Sequence, residues 1–279
     1  MHDIFELMKN RCSCRNFTDE PIPAELLDRL LTASVSGPSS GGFQNYSIIK
    51  VTEPEEKAQL AQCCRGQSFI GKAAVNLVYC IDLHRERRIS DAMHAVPDTS
   101  LDYQKLILLT IDAAVAAQNF CVAAEENGIG TVYIGNVLNQ QKDVAELLRL
   151  PEMVVPVIMV TAGWPGAKGV VSGKYPVSVM VHDGHYEEKD IEVLKEAFDA
   201  KYDGWKMKPN DKLMEKIGQT AAAYKGEEYR RANRETLLDS SYVDPLSFWY
   251  GYYYAGAEGA MTQEDHKRFL ESQGLSFLK

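Results

Sequence analysis

The chain has 279 residues, 45% of them hydrophobic and 25% charged, enough to bury a large core without disulfide staples. Its formal net charge of -9 at pH 7 argues against nucleic acid or an anionic membrane as the main partner. In so acidic a chain, a local basic cluster is informative about a small anionic ligand.

The first fifteen residues mix Asp3, Glu6, Lys9, Arg11 and Arg15 with apolar positions and contain no secretory h-region. The cysteines at 12, 14, 63, 64, 80 and 121 show no disulfide framework, so reduced thiols in the cytoplasm are expected.

In chain order, Ile4, Leu7 and Met8 predict a short helix. Residues 23–37 predict a second, with Leu26, Leu27, Leu30, Leu31 and Val35 on its buried face and Gly37 as its stop. After the small-residue loop GPSSGG (37–42), YSIIKV (46–51) reads as a strand. EEKAQLAQCC (55–64) is a helix, AVNLVYCI (74–81) a buried strand, and 84–103 a connecting loop or helix. The apolar segment 104–126 predicts a long buried helix, and Asp112 within it argues against a membrane span. TVYIGNV (131–137) is a strand running into a turn, and 140–150 a short helix stopped before Pro151. VVPVIMVTAGWP (154–165) is a central strand covered on both faces. An extended loop with a short strand is expected over 167–186, a charged helical region over 187–234, an aromatic, Gly-rich stretch over 241–261 and a last helix over 262–277. The fold class is α+β, a mixed central sheet of about four or five strands flanked by helices.

Few stretches suggest chemistry by themselves. RCSCRNF (11–17) sets Arg11 and Arg15 four apart with Ser13 between, a donor set suited to phosphate; surface pairing with Asp19 or Glu20 is the alternative. GPSSGGFQN (37–45) lets backbone amides approach a ligand, or is a plain turn. GQSF (66–69) and YIGNV (133–137) are weak alone. His182 and His185 lack a third metal ligand at a recognisable spacing, and neither CSC nor CC matches a zinc pattern.

In order, these stretches resemble the FMN-dependent nitroreductase family, and most closely its NADPH-type nitroreductase and flavin reductase branch. RCSCRNF is similar to the family's R-x-S-x-R-x-F, GPSSGGFQNYSIIKV to its P-S-S…Q loop and strand, and GQSF to its G-Q-x-x. The 112–137 stretch is similar to its long helix and Y-I-G-G turn, LRLPEMVVPVIMVTAGWP to its L-x-L-P strand, and SGKYPVSVMVH to its K-P-R-L-P segment. The match covers roughly residues 1–186, and KRFLESQGLSF resembles the branch's terminal helix.

The resemblance implies one nitroreductase-like domain over 1–279, with a divergent helical and aromatic region at about 187–279, in an intertwined homodimer. It implies FMN, with NAD(P)H as co-substrate, and ping-pong reduction of nitroaromatics, quinones or free flavin. The cofactor-binding residues it implies are Arg11, Cys12, Ser13, Cys14, Arg15, Ser39, Ser40, Gln67, Phe69, Tyr133, Ile134, Gly135 and Lys174. No conventional catalytic acid or base is implied, and the Gly135 amide is the candidate donor to flavin N5. This chain departs from the family at Asn136, at Ser172 in place of a Lys, and in the run 248–254. An unaligned cluster of Arg230, Arg231 and Arg234 leaves NADH against NADPH open. Two other readings are a redox-sensing flavin binder using CSC and CC, and a family member with dehalogenating or desaturating chemistry.

Overall fold

The computed structural model describes residues 3–96, 102–167, 169–255 and 260–275. Parts of the expected 84–103 connection, the 241–261 aromatic stretch and the end of the last helix lie outside the described residues. The elements are α1 (Ile4–Lys9), α2 (Ala24–Val35), β1 (Tyr46–Val51), α3 (Pro54–Cys63), α4 (Ser68–Lys72), β2 (Val75–Asp82), α5 (His84–Met93), α6 (Tyr103–Glu126), β3 (Gly130–Ile134), α7 (Gln141–Leu147), β4 (Val154–Gly163), α8 (Val177–Met180), α9 (Ile191–Lys201), α10 (Asp211–Ser240) and α11 (Gln263–Ser272). The chain divides into two compact units, Met1–Val171 with Met261–Lys279, and Ser172–Ala260.

The first unit holds a four-stranded sheet in the order β1-β2-β4-β3, and every pairing in it is antiparallel. Strand alternation sends Leu77, Tyr79 and Ile81 to one core, with α2 and α6, and Val78 and Cys80 to a second, with α3 and α4. On β4 the alternation flips: Val155 and Val157 face the α6 core, then Val160 and Ala162 do. A bulge explains this, because Tyr79 pairs with Ile158 but Cys80 pairs with Pro156, which inserts one extra residue. Pro156 has no N–H for a ladder, so a central strand accommodates it there.

α2 differs from its expected face. Leu27 and Leu30 are buried, but Val35 is 44% exposed and Ser34 is fully buried in its stead. The Ser34 hydroxyl donates to Ala116 O (2.8 Å) and meets Tyr79 Oη at 3.1 Å, so its polar atom is satisfied. α6 is also not buried all round. Leu109, Ala113, Ala116, Ala117, Phe120 and Ala124 face the core, whereas Ile107, Leu108 and Ile111 are 40–50% exposed.

In the second unit, the expected short strand of the 167–186 region is replaced by the one-turn helix α8. α10 breaks at Lys225 and Gly226, where Gly226 has φ +84°, a conformation a side chain would strain. Leu213, Ile217, Leu237 and Val243 form this unit's core, with Phe248 and Tyr252 packed against it. These two belong to a π-helical turn, Ser247–Tyr253, while Tyr250 and Tyr254 are exposed.

Candidate active site

α1 ends at Lys9, and Arg11 to Asn16 are not helical, so the four-residue spacing does not put Arg11 and Arg15 on one helix face. This stretch runs beside β3, an edge strand of the sheet. Cys14 N donates to Thr131 O (2.9 Å), Thr18 N donates to Trp164 O (2.9 Å), and Phe17 bridges to Pro165. The close approach needs a glycine at 130: a Cβ there would stand 2.7 Å from both Cβ and Sγ of Cys14.

α6 anchors three of the stretches through polar residues. Asp112, buried in the helix, accepts from Ser40 N with both oxygens (3.0 Å each) and from Ser40 Oγ (3.1 Å), which holds the Pro-Ser-Ser loop. Gln118 Oε1 accepts from Tyr133 Oη (3.2 Å), which holds the β3 end. Glu125 holds the N-terminal stretch. Its Oε1 lies 3.0 Å from Arg11 Nε and accepts from Thr131 Oγ1 at 2.9 Å, and Arg11 Nη2 donates to that same hydroxyl at 3.4 Å. From Asp112 to Glu125 the helix rises about 20 Å, so one rigid element spaces the three stretches.

These contacts separate the anticipated site residues by what they are committed to. Ser40 is taken by Asp112 and Arg11 by Glu125, and neither Asp19 nor Glu20 pairs with either arginine. Ser39 Oγ accepts from Gln44 N (3.1 Å), and Gln67 Nε2 donates to Cys64 O (2.9 Å). Cys14, Phe69 and Ile134 share the second core, so they back the site rather than open onto it. Cys12 and Ser13 are half-buried. Arg15 is exposed, with no ion pair or hydrogen bond among the described residues. Gly135 is exposed at the end of β3, and a Cβ on it would meet no atom within 4 Å. Lys174 is exposed and belongs to the second unit.

Sequence reasoning missed Asp112, Gln118, Glu125 and Thr131 as partners of these stretches. The available signal was the seven-residue spacing of Asp112 with Asn119 and of Gln118 with Glu125 in an otherwise apolar helix.

Burial pushes the Glu125 carboxyl up, against the opposing pull of Thr131 and Arg11. Burial also raises the Tyr133 hydroxyl, which is neutral at ordinary pH. The Cys14 thiol is raised as well, again chiefly by burial, so the low-pKa thiol that a redox-sensing reading places beside the arginines is not Cys14. Among the described residues, no group of three His, Cys, Asp or Glu side chains is placed to hold a metal ion. What the arrangement offers is an exposed cation, hydroxyls and an exposed glycine at the end of a strand. That set suits binding an anionic group.

A sequence model of the nitroreductase family matches residues 8–164, more than half of the chain. The chain belongs to the nitroreductase family. It is 34% identical to the NADPH-flavin oxidoreductase of Vibrio harveyi over 196 residues, 70% of this chain and 79% of that protein. It is 33% identical to the oxygen-insensitive NADPH nitroreductase of Salmonella typhimurium over 204 residues, 73% of this chain and 80% of that protein. The solved structure of B. megaterium NfrA1 superposes with a TM-score of 0.75 at 26% identity, covering 98% of this chain and 99% of that one. The nitroreductase match contains every α6-anchored stretch and ends before Lys174.

Proposed function

We propose that this chain is an FMN-dependent NAD(P)H oxidoreductase of the nitroreductase and flavin reductase type. The observation that carries the reading is Arg15, an exposed cation with no acidic partner among the described residues of a chain of net charge -9, beside a strand that ends at the open Gly135. The residues present fit FMN. Arg15 and the Ser13 hydroxyl would hold an anionic phosphate, Ser39 and Gln67 would add polar contacts, and the Gly135 amide would donate to the ring. Arg11, committed to Glu125, fixes the stretch that presents Ser13 and Arg15.

When bound, FMN supplies two-electron chemistry between a reduced nicotinamide and a nitroaromatic, quinone or free flavin acceptor. The protein's part is to clamp the phosphate end, hold the β3 end through Tyr133 and Gln118, and leave one face open for both partners in turn. Sharing one face predicts ping-pong kinetics. A homodimer is part of this reading. Ile107, Leu108 and Ile111 give α6 an apolar stripe that a second copy would cover. Six unpaired cysteines suit a reducing cytoplasm.

Initial rates of NADH and NADPH oxidation, measured over a grid of quinone concentrations, test the reading. Parallel double-reciprocal lines support it, and an absence of turnover with every acceptor class overturns it.

A further inference from the structure

We propose that Cys12 and Cys14 are a disulfide-forming pair, a redox modification site set into the stretch that carries Ser13 and Arg15. The pairing is argued from their placement in one cavity, and its effect on cofactor retention rests on the reading above. Both thiols line one cavity of about 280 Å³, together with Arg11, Glu125, Gly130 and Gly169. Ser13, between them, is not among the residues that line that cavity. Glycines face both sulfurs: a Cβ on Gly130 would collide with Cys14 Sγ, and one on Gly169 with Cys12 Sγ. The two thiols are also close enough that charge on Cys12 raises the Cys14 pKa, a smaller effect than burial.

Reach sets the consequence. A disulfide holds its Cα atoms about 4.4–6.8 Å apart, whereas two residues of extended chain span about 6.6–7.2 Å. Closing the bond therefore holds the two residues closer together than fully extended chain would. It pulls on Ser13 and on the Cys14 N to Thr131 O hydrogen bond that aligns the stretch with β3. A bond closed under such strain is a labile, readily reduced one.

The oxidant is hydrogen peroxide. Cys12 is half-buried and Cys14 is 7% exposed, so peroxide reaches the Cys12 sulfur first. The Cys12 sulfur bonds to one peroxide oxygen as the O–O bond breaks, and its proton leaves with the other oxygen as water. The Cys14 sulfur then displaces hydroxide from the resulting sulfenic acid. The S–S bond forms as the S–O bond breaks, and the Cys14 thiol proton leaves in a second water. The two sulfurs lose two electrons and peroxide gains two.

Trypsin cuts after Arg11 and after Arg15, so it isolates residues 12–15 as one fragment. The test treats the purified full-length protein with peroxide, labels it with iodoacetamide under denaturing conditions and weighs that fragment. The expected result is that labelling falls from two groups to none and the fragment loses two hydrogens, both changes reversed by dithiothreitol. In Cys12→Ser, Cys14 is expected to keep its label. Two labels after peroxide treatment overturn the proposal, as does Cys12 or Cys14 linked to Cys63 or another thiol, or stopping at sulfinic acid. Flavin fluorescence released to solution is read in parallel. Release on oxidation, reversed by dithiothreitol, is the expected effect. A closed disulfide in a protein that holds no flavin contradicts the cofactor reading alone and leaves the pair standing.

Discussion

Arg11 Nε lies 3.0 Å from Glu125 Oε1, and the approach is too oblique for that nitrogen to make a hydrogen bond. The pair ties the N-terminal stretch to α6 with Thr131 as the third member, since its hydroxyl donates to Glu125 and accepts from Arg11. Both side chains are mostly buried, so neither charge is well solvated.

Glu125 gives stability a pH signature. Its folded pKa is raised above 4.5, chiefly by burial. A raised carboxyl contributes stability that is fully present below the unfolded value and lost as pH rises through the folded one. Glu125→Gln mimics the protonated form at every pH and so keeps that contribution where the wild type loses it. The variant is therefore expected to match the wild type below pH 4.5 and to gain on it as pH rises above that value. Urea unfolding of both proteins across the acid range reads this, and a stability difference independent of pH would contradict it.

Asp112→Ala is expected to release the Pro-Ser-Ser loop. It removes a carboxylate that accepts from both the amide and the hydroxyl of Ser40. Hydrogen bonds to a charged group are worth about 1.5–3 kcal/mol each, so the two together put the expected loss in chemical unfolding at about 3–6 kcal/mol. Faster proteolysis within 37–44 should accompany it.

Gly130→Ala is expected to cost about 1–3 kcal/mol by overpacking. Cys14→Ala should not rescue it, because the added Cβ meets the Cβ of Cys14 as closely as its Sγ. Additive losses in the double variant, measured by thermal unfolding, are therefore expected, and a double variant as stable as Cys14→Ala alone would contradict this.

The two arginines of the first motif should separate. Arg15→Ala leaves stability within about 0.5 kcal/mol, since Arg15 is exposed and makes no ion pair or hydrogen bond among the described residues. It should weaken FMN binding about ten- to a hundredfold, the worth of one charge-assisted contact. Arg11→Ala should instead lower stability, because it strands Glu125 away from its cation. Fluorescence titration with FMN and thermal melts distinguish the two roles, and equal effects from both variants would refute the assignment.

Strands were the most legible part of the sequence. YSIIKV and VNLVYCI carry β-branched runs between turn signals, and β1 and β2 fall within one residue of where those runs place them. The Val154–Gly163 strand was legible as central despite Pro156, but its bulge was not, because the bulge depends on the register against β2. Val35 and Ser34 show the limit of periodicity: a buried serine took the apolar position because Tyr79 and Ala116 offered it partners. The order of the site motifs was legible, and their anchors were not. Which of Arg11 and Arg15 is free depends on Glu125, more than a hundred residues along the chain.

The most direct test of the account is the visible absorption spectrum of the untagged protein, recorded before and after NADPH and then after a quinone. The account predicts a bound-flavin spectrum, with FMN as the released chromophore, bleached by the nicotinamide and restored by the quinone. A protein that is colourless as purified and does not take up added FMN would contradict it. The 11–15 stretch would then be an arginine pair with one member serving the fold and the other solvated.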